Sequence, residues 1–375
     1  MSDFFNITFL ETLRDKVLPG LWPLLAAMLI CVLLVPVAIR VSKRTGLMAV
    51  PGGRHAHSSP TPLLGGLAMF VAFAIAVLIF VPSNTTRTGV LVVSGLAAIL
   101  LIADDRWPVS PALKFVFQLL VALVAVFVFG FLITYFGLPN ASTNGVATLV
   151  YLGWASIPVS LFWLLGMQNT VNFLDGVDGL AAGVVFIVAL TLLIAAAGRD
   201  QIDVVQFAGA LAGACAGFLL FNFNPARIFM GDSGSHFLGA ALGVISIIGV
   251  AKLAVAFALV IPILALALPI ADTAWAILRR RSGHISVARP DRQHLHHRLL
   301  SFGLTPRQTC YVFYAATALF GTVGLMLFGH RRILAVVVVA ALVLASTVAA
   351  DRLQKAGWRI SAPFLRRLLS EPGTG

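Results

Sequence analysis

Five aspartates stand in unfavourable company: Asp104, Asp105, Asp175, Asp178 and Asp232 each interrupt or abut a long apolar run. Charged residues make up 11% of the chain and hydrophobic ones 59%, so these carboxylates are scarce as well as oddly placed. A carboxylate costs about 2.5–3.5 kcal/mol at the centre of a membrane helix, and less near its ends. Groups that costly serve a cation, a proton or a substrate.

Three segments concentrate the polar chemistry. The densest, Gln168 to Gly183, holds Asn169, Asn172, Asp175 and Asp178. Asn172 and Asp175 are spaced i,i+3, as are Asp175 and Asp178, so a helical turn would gather them on one side. The glycines let backbone approach a ligand closely. A solvated turn with an Asp cap is the plain alternative, and the density of Asn, Asp and Gly argues against it.

The second segment, Phe221 to Ser235, carries Asn222, Phe229 and Asp232 and runs from Gly231 straight into an apolar helix. Asp232 or Ser233 could cap that helix, and free amides there favour an anion. An Asp opposite other carboxylates needs a cation. Mg²⁺ fits best, because hard oxygen donors and substrate phosphates complete its octahedron and soft ligands are missing.

The third segment, Arg289 to Arg298, contains Arg292, His294, His296 and His297. Its H-x-H-H spacing suggests zinc, but histidines ringed by Arg, without Cys, suit phosphate recognition at least as well. His55 and His57 beside Arg54 read equally as a solvated loop. Asp104 and Asp105 end one helix and Lys114 opens the next; adjacent carboxylates repel and point in different directions. Asp272 reads as the structural partner of a nearby Arg, and Cys31, Cys215 and Cys310 as buried free thiols.

The elements that must position these residues are membrane helices. Repeated apolar stretches of about 20 residues predict transmembrane spans, near 21–41, 63–82, 88–103, 112–136, 151–167, 178–197, 204–221, 234–251, 254–278, 310–328 and 332–350. The run Gly234–Leu278 would be roughly 67 Å as one helix, about twice a bilayer core, and is divided near Lys252. The first span is too late and too poorly flanked for a cleaved signal peptide. The expected architecture is an all-α integral membrane protein of about 11 helices, one polytopic domain over 1–375.

Connections 42–62, 104–111, 168–177, 222–233 and 279–309, with the tail 351–375, carry about 19 of the 26 Lys+Arg when Arg40 and Lys114 are counted with them, which predicts a cytoplasmic side. The N-terminus then lies outside and the C-terminus inside. The net charge of +12 follows from that topology and from anionic lipid, not from nucleic acid. The same parity brings every candidate residue to one face. That suits an enzyme better than a transporter, which would place ionisable groups at mid-depth on broken helices of paired repeats.

These residues resemble the polyprenyl-phosphate N-acetylhexosamine-1-phosphate transferase family. The likeness rests on Ala103-Asp104-Asp105-Arg106, Asn169-x-x-Asn172-x-x-Asp175-Gly-x-Asp178-Gly-Leu180, Phe229-Met230-Gly231-Asp232-Ser233-Gly234-Ser235, and Pro290-Asp291-Arg292-Gln293-His294-Leu295-His296-His297-Arg298-Leu299, and it runs from about Val41 to Gln308. The last block resembles the branch that starts O-antigen, enterobacterial common antigen, teichoic acid or mycobacterial-type wall polymers. It is less like the branch that makes the first peptidoglycan lipid.

The resemblance implies transfer of an N-acetylhexosamine 1-phosphate, expected to be GlcNAc-1-phosphate, from a UDP-sugar to polyprenyl phosphate, releasing UMP. It also implies Mg²⁺, with Mn²⁺ as a substitute, and a bacterial cytoplasmic membrane with the site facing the cytoplasm. Asn172 and Asp232 would ligate the metal, and Phe229 would stack on uracil with Asn222 nearby. Asn169 and His55 would add substrate contacts, Asp175 and Asp178 would line the nucleotide pocket, and Lys114 would meet phosphate. Arg292, His294, His296, His297 and Arg298 would hold the diphosphate or sugar.

Asp104 and Asp105 stay open between a base and an orienting role, since a phosphate monoester (second pKa about 6) is mostly dianionic at pH 7. Family members are often dimers, so a homodimer is expected. The competing readings are transfer of UDP-MurNAc-pentapeptide and, in another class, a transporter of an anionic solute. A CDP-alcohol phosphotransferase would need D-G-x-x-A-R, whereas Asp178-Gly179-Leu180-Ala181-Ala182 runs into Gly183.

Overall fold

The computed structural model describes residues 13–49, 60–107, 109–138, 148–249 and 304–327. A π-helical turn (Leu13–Val17) leads into α1 (Leu18–Thr45). A short antiparallel pair, β1 (Met48–Ala49) with β2 (Thr61–Pro62), precedes α2 (Gly65–Phe80) and α3 (Thr85–Arg106). Next, α4 (Pro111–Leu123) continues through a π-helical turn (Val124–Val128). The strands β3 (Tyr135–Leu138) and β4 (Thr148–Tyr151) pair antiparallel. The remaining helices are α5 (Ser156–Leu174), α6 (Leu180–Ala197), α7 (Ile202–Asn222), α8 (Gly231–Ile248) and α9 (Pro306–Leu327).

Among the described residues, five helical stretches are long and apolar enough to cross a membrane: Asp15–Thr45, Thr85–Arg106, Pro111–Val128, Leu180–Ala197 and Ile202–Asn222. A helix suits that setting because it satisfies its backbone groups internally. The protein is a mostly helical integral membrane protein. The expected spans 254–278 and 332–350 lie outside the described residues.

The centre of the bundle is α8, whose residues from Ser233 to Ile247 are buried throughout. It meets α2 at backbone distance: a Cβ on Gly66 would lie 2.2 Å from the Gly234 Cα. Phe237 fills the rest of that contact against Phe70 and Phe73, with ring centroids 5.5 and 5.7 Å away. Small residues make the second close crossing. Gly209, Gly213 and Gly217 of α7 face the carbonyls of Gly20, Leu24 and Met28 on α1, a small-xxx-small stripe suited to packing within lipid. Cys31, Cys215 and Cys310 are buried and free.

Several element bounds differ from expectation. The polar residues Gln168–Leu174 are not a connection: they form the last turns of α5, and only 175–179 turn. Likewise α3 runs on to Arg106 and α8 begins at Gly231, so Asp104, Asp105 and Asp232 sit on helical turns. The span expected at 112–136 leaves helical geometry after Val128, where Gly130 takes φ +67 and the chain enters the β3–β4 hairpin. The fold is therefore not purely α, though its strands are short. The span expected at 151–167 accordingly starts later, at Ser156.

Candidate active site

Helix ends converge at one end of the bundle. The last turn of α3, the first of α4, the last of α5 and the first of α8 bring Asp104, Asp105, Lys114, Asn172 and Asp232 together. Lys114 is the hub. Its Nζ lies 2.6 Å from Asp104 Oδ2 and 2.6 Å from Asp232 Oδ2. Ser110 caps α4 by accepting from the Leu113 N–H, and Pro111 begins the helix without needing a donor. That start sets where Lys114 points.

The neighbours Asp104 and Asp105 diverge, as adjacent helical residues must. Asp104 Oδ1 accepts from the Val109 N–H at 2.9 Å, holding the turn into α4. Asp105 instead reaches across to α8, where its carboxylate accepts from the backbone N–H of Asp232 (2.7 Å) and Ser233 (3.2 Å). It supplies the N-terminal cap that α8 lacks in its own sequence, and a carboxylate there also complements the helix dipole. Asp105 thus fixes the backbone that carries Asp232.

Gly231 makes this approach possible. It has φ +71, and a Cβ on it would lie 2.5 Å from Asp105 Oδ1. Gly231→Ala should therefore cost about 1–2 kcal/mol from the left-handed backbone alone and also expel the Asp105 carboxylate. We expect turnover to fall at least about tenfold, since misplacement by an ångström is enough to cost that much. Turnover measured beside a thermal melt checks this; unchanged turnover would contradict it.

Asp232 is held from both sides. Asn172 donates from Nδ2 to Asp232 Oδ1 and to Ser235 Oγ, the latter at 3.0 Å. This leaves the Asn172 amide oxygen available as a donor to a cation. Asp175, at the end of α5, accepts no hydrogen bond among the described residues. Desolvation, and then the charges of Asp232, Asp105 and Asp178, push its carboxyl well above the usual carboxylate range.

Asp178 and Asn222 have their partners in the adjoining loop. Asp178 Oδ2 accepts from Asn224 Nδ2 and the Ala226 N–H, both at 3.0 Å. Asn222 Oδ1 accepts from the Gly179 N–H and its Nδ2 donates to the Ile228 carbonyl, each at 2.9 Å. These bonds tie 178–179 to 222–228. Phe229 is partly buried, and its backbone continues the link: its N–H donates to the Pro62 carbonyl at 2.8 Å, and its carbonyl accepts from Gly65 at 3.0 Å.

Asn169 lies one helical turn from Asn172, facing Gln118 rather than Asp232. Two residues not expected from sequence complete that neighbourhood, Gln118 and His236. His55, Arg292, His294, His296, His297 and Arg298 lie outside the described residues. The available signal for the two unexpected residues was spacing, because Gln118 follows Lys114, and His236 follows Asp232, by four positions on a helix.

The donor set fits a hard divalent cation. Asp104 and Asp232 share the Lys114 ammonium, Asp105 and Asp175 carry their carboxylates close to Asp232, and among the described residues the groups free to coordinate offer oxygen only. No three His, Cys, Asp or Glu form a ready metal cage among the described residues. A Mg²⁺ ion takes only one or two protein carboxylates and completes its shell with water and substrate phosphate, and Asp232 with the Asn172 amide oxygen is the pair that would hold it here.

A family model for glycosyl transferase family 4 matches residues 87–250. A Bacillus subtilis protein named "Probable undecaprenyl-phosphate N-acetylglucosaminyl 1-phosphate transferase" is 33% identical, across 81% of this chain and 83% of its own. The decaprenyl-phosphate N-acetylglucosaminephosphotransferase of Mycolicibacterium smegmatis is 37% identical, across 76% of this chain and 75% of its own. The phospho-N-acetylmuramoyl-pentapeptide-transferase of Heliobacterium modesticaldum is 35% identical, across 73% and 85%. The matched region contains the Asp104–Lys114–Asp232–Asn172 cluster, and the chain belongs to glycosyl transferase family 4, among the polyprenyl-phosphate N-acetylhexosamine-1-phosphate transferases.

Proposed function

We propose that the protein transfers N-acetylglucosamine 1-phosphate from UDP-N-acetylglucosamine to a polyprenyl phosphate such as undecaprenyl phosphate, releasing UMP. This would be the first membrane step of a cell-envelope polysaccharide, in a bacterial cytoplasmic membrane. The observation that carries the reading is the carboxylate cluster around Lys114 at one end of a helical bundle, where a soluble nucleotide can meet a lipid phosphate. The basic residues that the sequence gathers in alternate connections support a site facing the cytoplasm. The relatives named for GlcNAc phosphate transfer support the choice of sugar.

An oxygen of the lipid phosphate attacks the β-phosphorus of the UDP-sugar, and the bond from that phosphorus to the UMP oxygen breaks. Reactants and leaving group are all anionic, so the protein's work is alignment and charge neutralisation. Lys114 lies on α4 beside Asp232 and offers its ammonium to a phosphate oxygen. Asp104 keeps that ammonium charged and aimed. Asp232 and the amide oxygen of Asn172, with Asp175 nearby, are the groups that would hold Mg²⁺. When bound, Mg²⁺ supplies Lewis-acid stabilisation of the diphosphate and of departing UMP. The basic block containing Arg292, His294, His296, His297 and Arg298 would collect remaining phosphate charge, while Phe229 and Asp178 border the nucleotide.

In this reading Asp232 serves as a ligand and the lipid attacks directly. Capture of a phosphorylated enzyme from UDP-sugar without lipid would overturn that single displacement. To test the substrate, purified protein with polyprenyl phosphate is offered UDP-GlcNAc, its C4 epimer UDP-GalNAc, or UDP-MurNAc-pentapeptide, and UMP is measured. We expect UMP from UDP-GlcNAc, dependent on both lipid phosphate and Mg²⁺. UMP from the pentapeptide substrate alone would move the protein to the peptidoglycan branch. Solute movement across vesicles without UMP would make it a transporter.

A further inference from the structure

One turn beneath the cluster lies a second polar layer built from the same three helices. Lys114, Asn172 and Asp232 form the upper layer. Gln118, Asn169 and His236 form the lower one, displaced by four, three and four residues on α4, α5 and α8, about one 5.4 Å pitch. Each upper residue therefore has a lower residue on its own helix and face. Nothing in the transfer chemistry requires polar groups at that depth.

The layer's bonds to Gln118 run between helices. Gln118 Nε2 lies 2.8 Å from His236 Nε2, and Asn169 Nδ2 donates to Gln118 Oε1 at 2.8 Å. Gln168 Nε2 adds a contact to the Gln118 carbonyl at 3.4 Å. His236 Nδ1 lies 2.8 Å from the Asp232 carbonyl oxygen. A carbonyl can only accept, so Nδ1 carries the proton, and Nε2 accepts from Gln118. The tautomer is thereby set by geometry. His236 is 0% exposed and Gln118 3%, so water does not replace a lost bond.

We propose that His236 and Gln118 are positioning residues: their cross-helix hydrogen bond sets the register of α4 against α8 and so holds Lys114 over the Asp232 carboxylate. This rests on the role given above to Lys114 and Asp232. The bond from His236 to the Asp232 carbonyl stays within α8 and does not fix register. The bond to Gln118 is the one that crosses, directly below the ion pair that crosses above it. Together they make two fastenings one turn apart, which prevents α4 from rotating or sliding. A single ion pair on a flexible lysine stem would leave both motions open.

The test compares four variants for turnover, KM and thermal melting. His236→Leu and Gln118→Leu should each lower kcat by about 10–100-fold, the usual penalty for losing a group that orients a site, with KM for the UDP-sugar nearly unchanged. The double variant should be no slower than the worse single one, because both break the same fastening. His236→Gln, which keeps an amide oxygen near the Nε2 position, should recover most of the rate. His236→Asn, which keeps only the bond within α8, should not.

Packing alone predicts another order, with Leu mildest and the small Asn worst. That order, additive losses in the double variant, or a KM rise at constant kcat would each overturn the proposal. Lys114→Met in parallel separates the two levels. If it abolishes turnover while His236→Leu does not slow it, only the lower layer's role fails. If Lys114→Met leaves turnover intact, the reading of the site falls and the layer's role with it.

Discussion

Asp232→Asn should reduce turnover by about 10²–10³-fold, the scale of losing one principal electrostatic contact in a transition state, and leave the melting temperature near that of the parent. The two halves of this expectation come from different atoms. The α8 terminus is capped through the backbone N–H of Asp232 and Ser233 by Asp105, not by the Asp232 side chain. Asn keeps the side chain's size and can still accept from Asn172, so the local fold persists. The charge does not.

Lys114 would then face a neutral amide where it had an ion pair at 2.6 Å, and the metal would lose its only anionic ligand of the proposed pair. The losses should therefore appear in kcat and in the Mg²⁺ concentration needed for half-maximal rate. Near-normal turnover at saturating UDP-sugar would remove Asp232 from the metal site. A collapsed melting curve would make the loss structural.

The helices were legible because long apolar runs have one economical structure in lipid. Their ends were less so. Asn169 and Asn172 look like a loop by polarity, yet α5 continues through them because their side chains find partners on α4 and α8. Polarity in this region marks a site, not a turn. The strand pair after Val128 is hidden for the converse reason: an apolar strand resembles the end of a span in sequence.

The carboxylates were recognisable as a set, but their individual work was not. Asp104 and Asp105 are neighbours with unrelated tasks, one paired with Lys114 and the other capping a helix more than a hundred residues away. Only the tertiary crossing of α3 and α8 distinguishes them. Asn222 and Asp178 belong to polar motifs, and their hydrogen bonds are made within the connecting segments, to backbone and to the Asn224 side chain. His236 stands where the polar start of α8 gives way to its apolar run, and sequence offers no hint beyond its distance of one turn from Asp232.

Lys114→Met should separate metal affinity from catalysis. In the protein as it stands, one ammonium occupies the space between Asp104 and Asp232, at 2.6 Å from each. It lowers the local negative charge and competes with a divalent cation for the Asp232 oxygens. Removing it leaves Asp104 and Asp232 without a paired side-chain cation among the described residues, so Mg²⁺ should half-saturate the rate at a lower concentration. The rate itself should fall by about 10²–10³-fold, because phosphate charge loses a fixed donor where it develops.

The structural penalty should stay below the roughly 3–5 kcal/mol seen when one partner of a fully buried pair is removed, since the Lys114 and Asp232 side chains are 24% and 28% exposed. Lys114→Arg should recover little: a planar fork cannot place one nitrogen within 2.6 Å of two carboxylates as a compact ammonium does. Rates across a Mg²⁺ titration check all of this. A variant that needs more Mg²⁺ than the parent would show that Lys114 assists metal binding instead of opposing it. One that turns over normally would show that the cation shared by Asp104 and Asp232 plays no part in the chemistry.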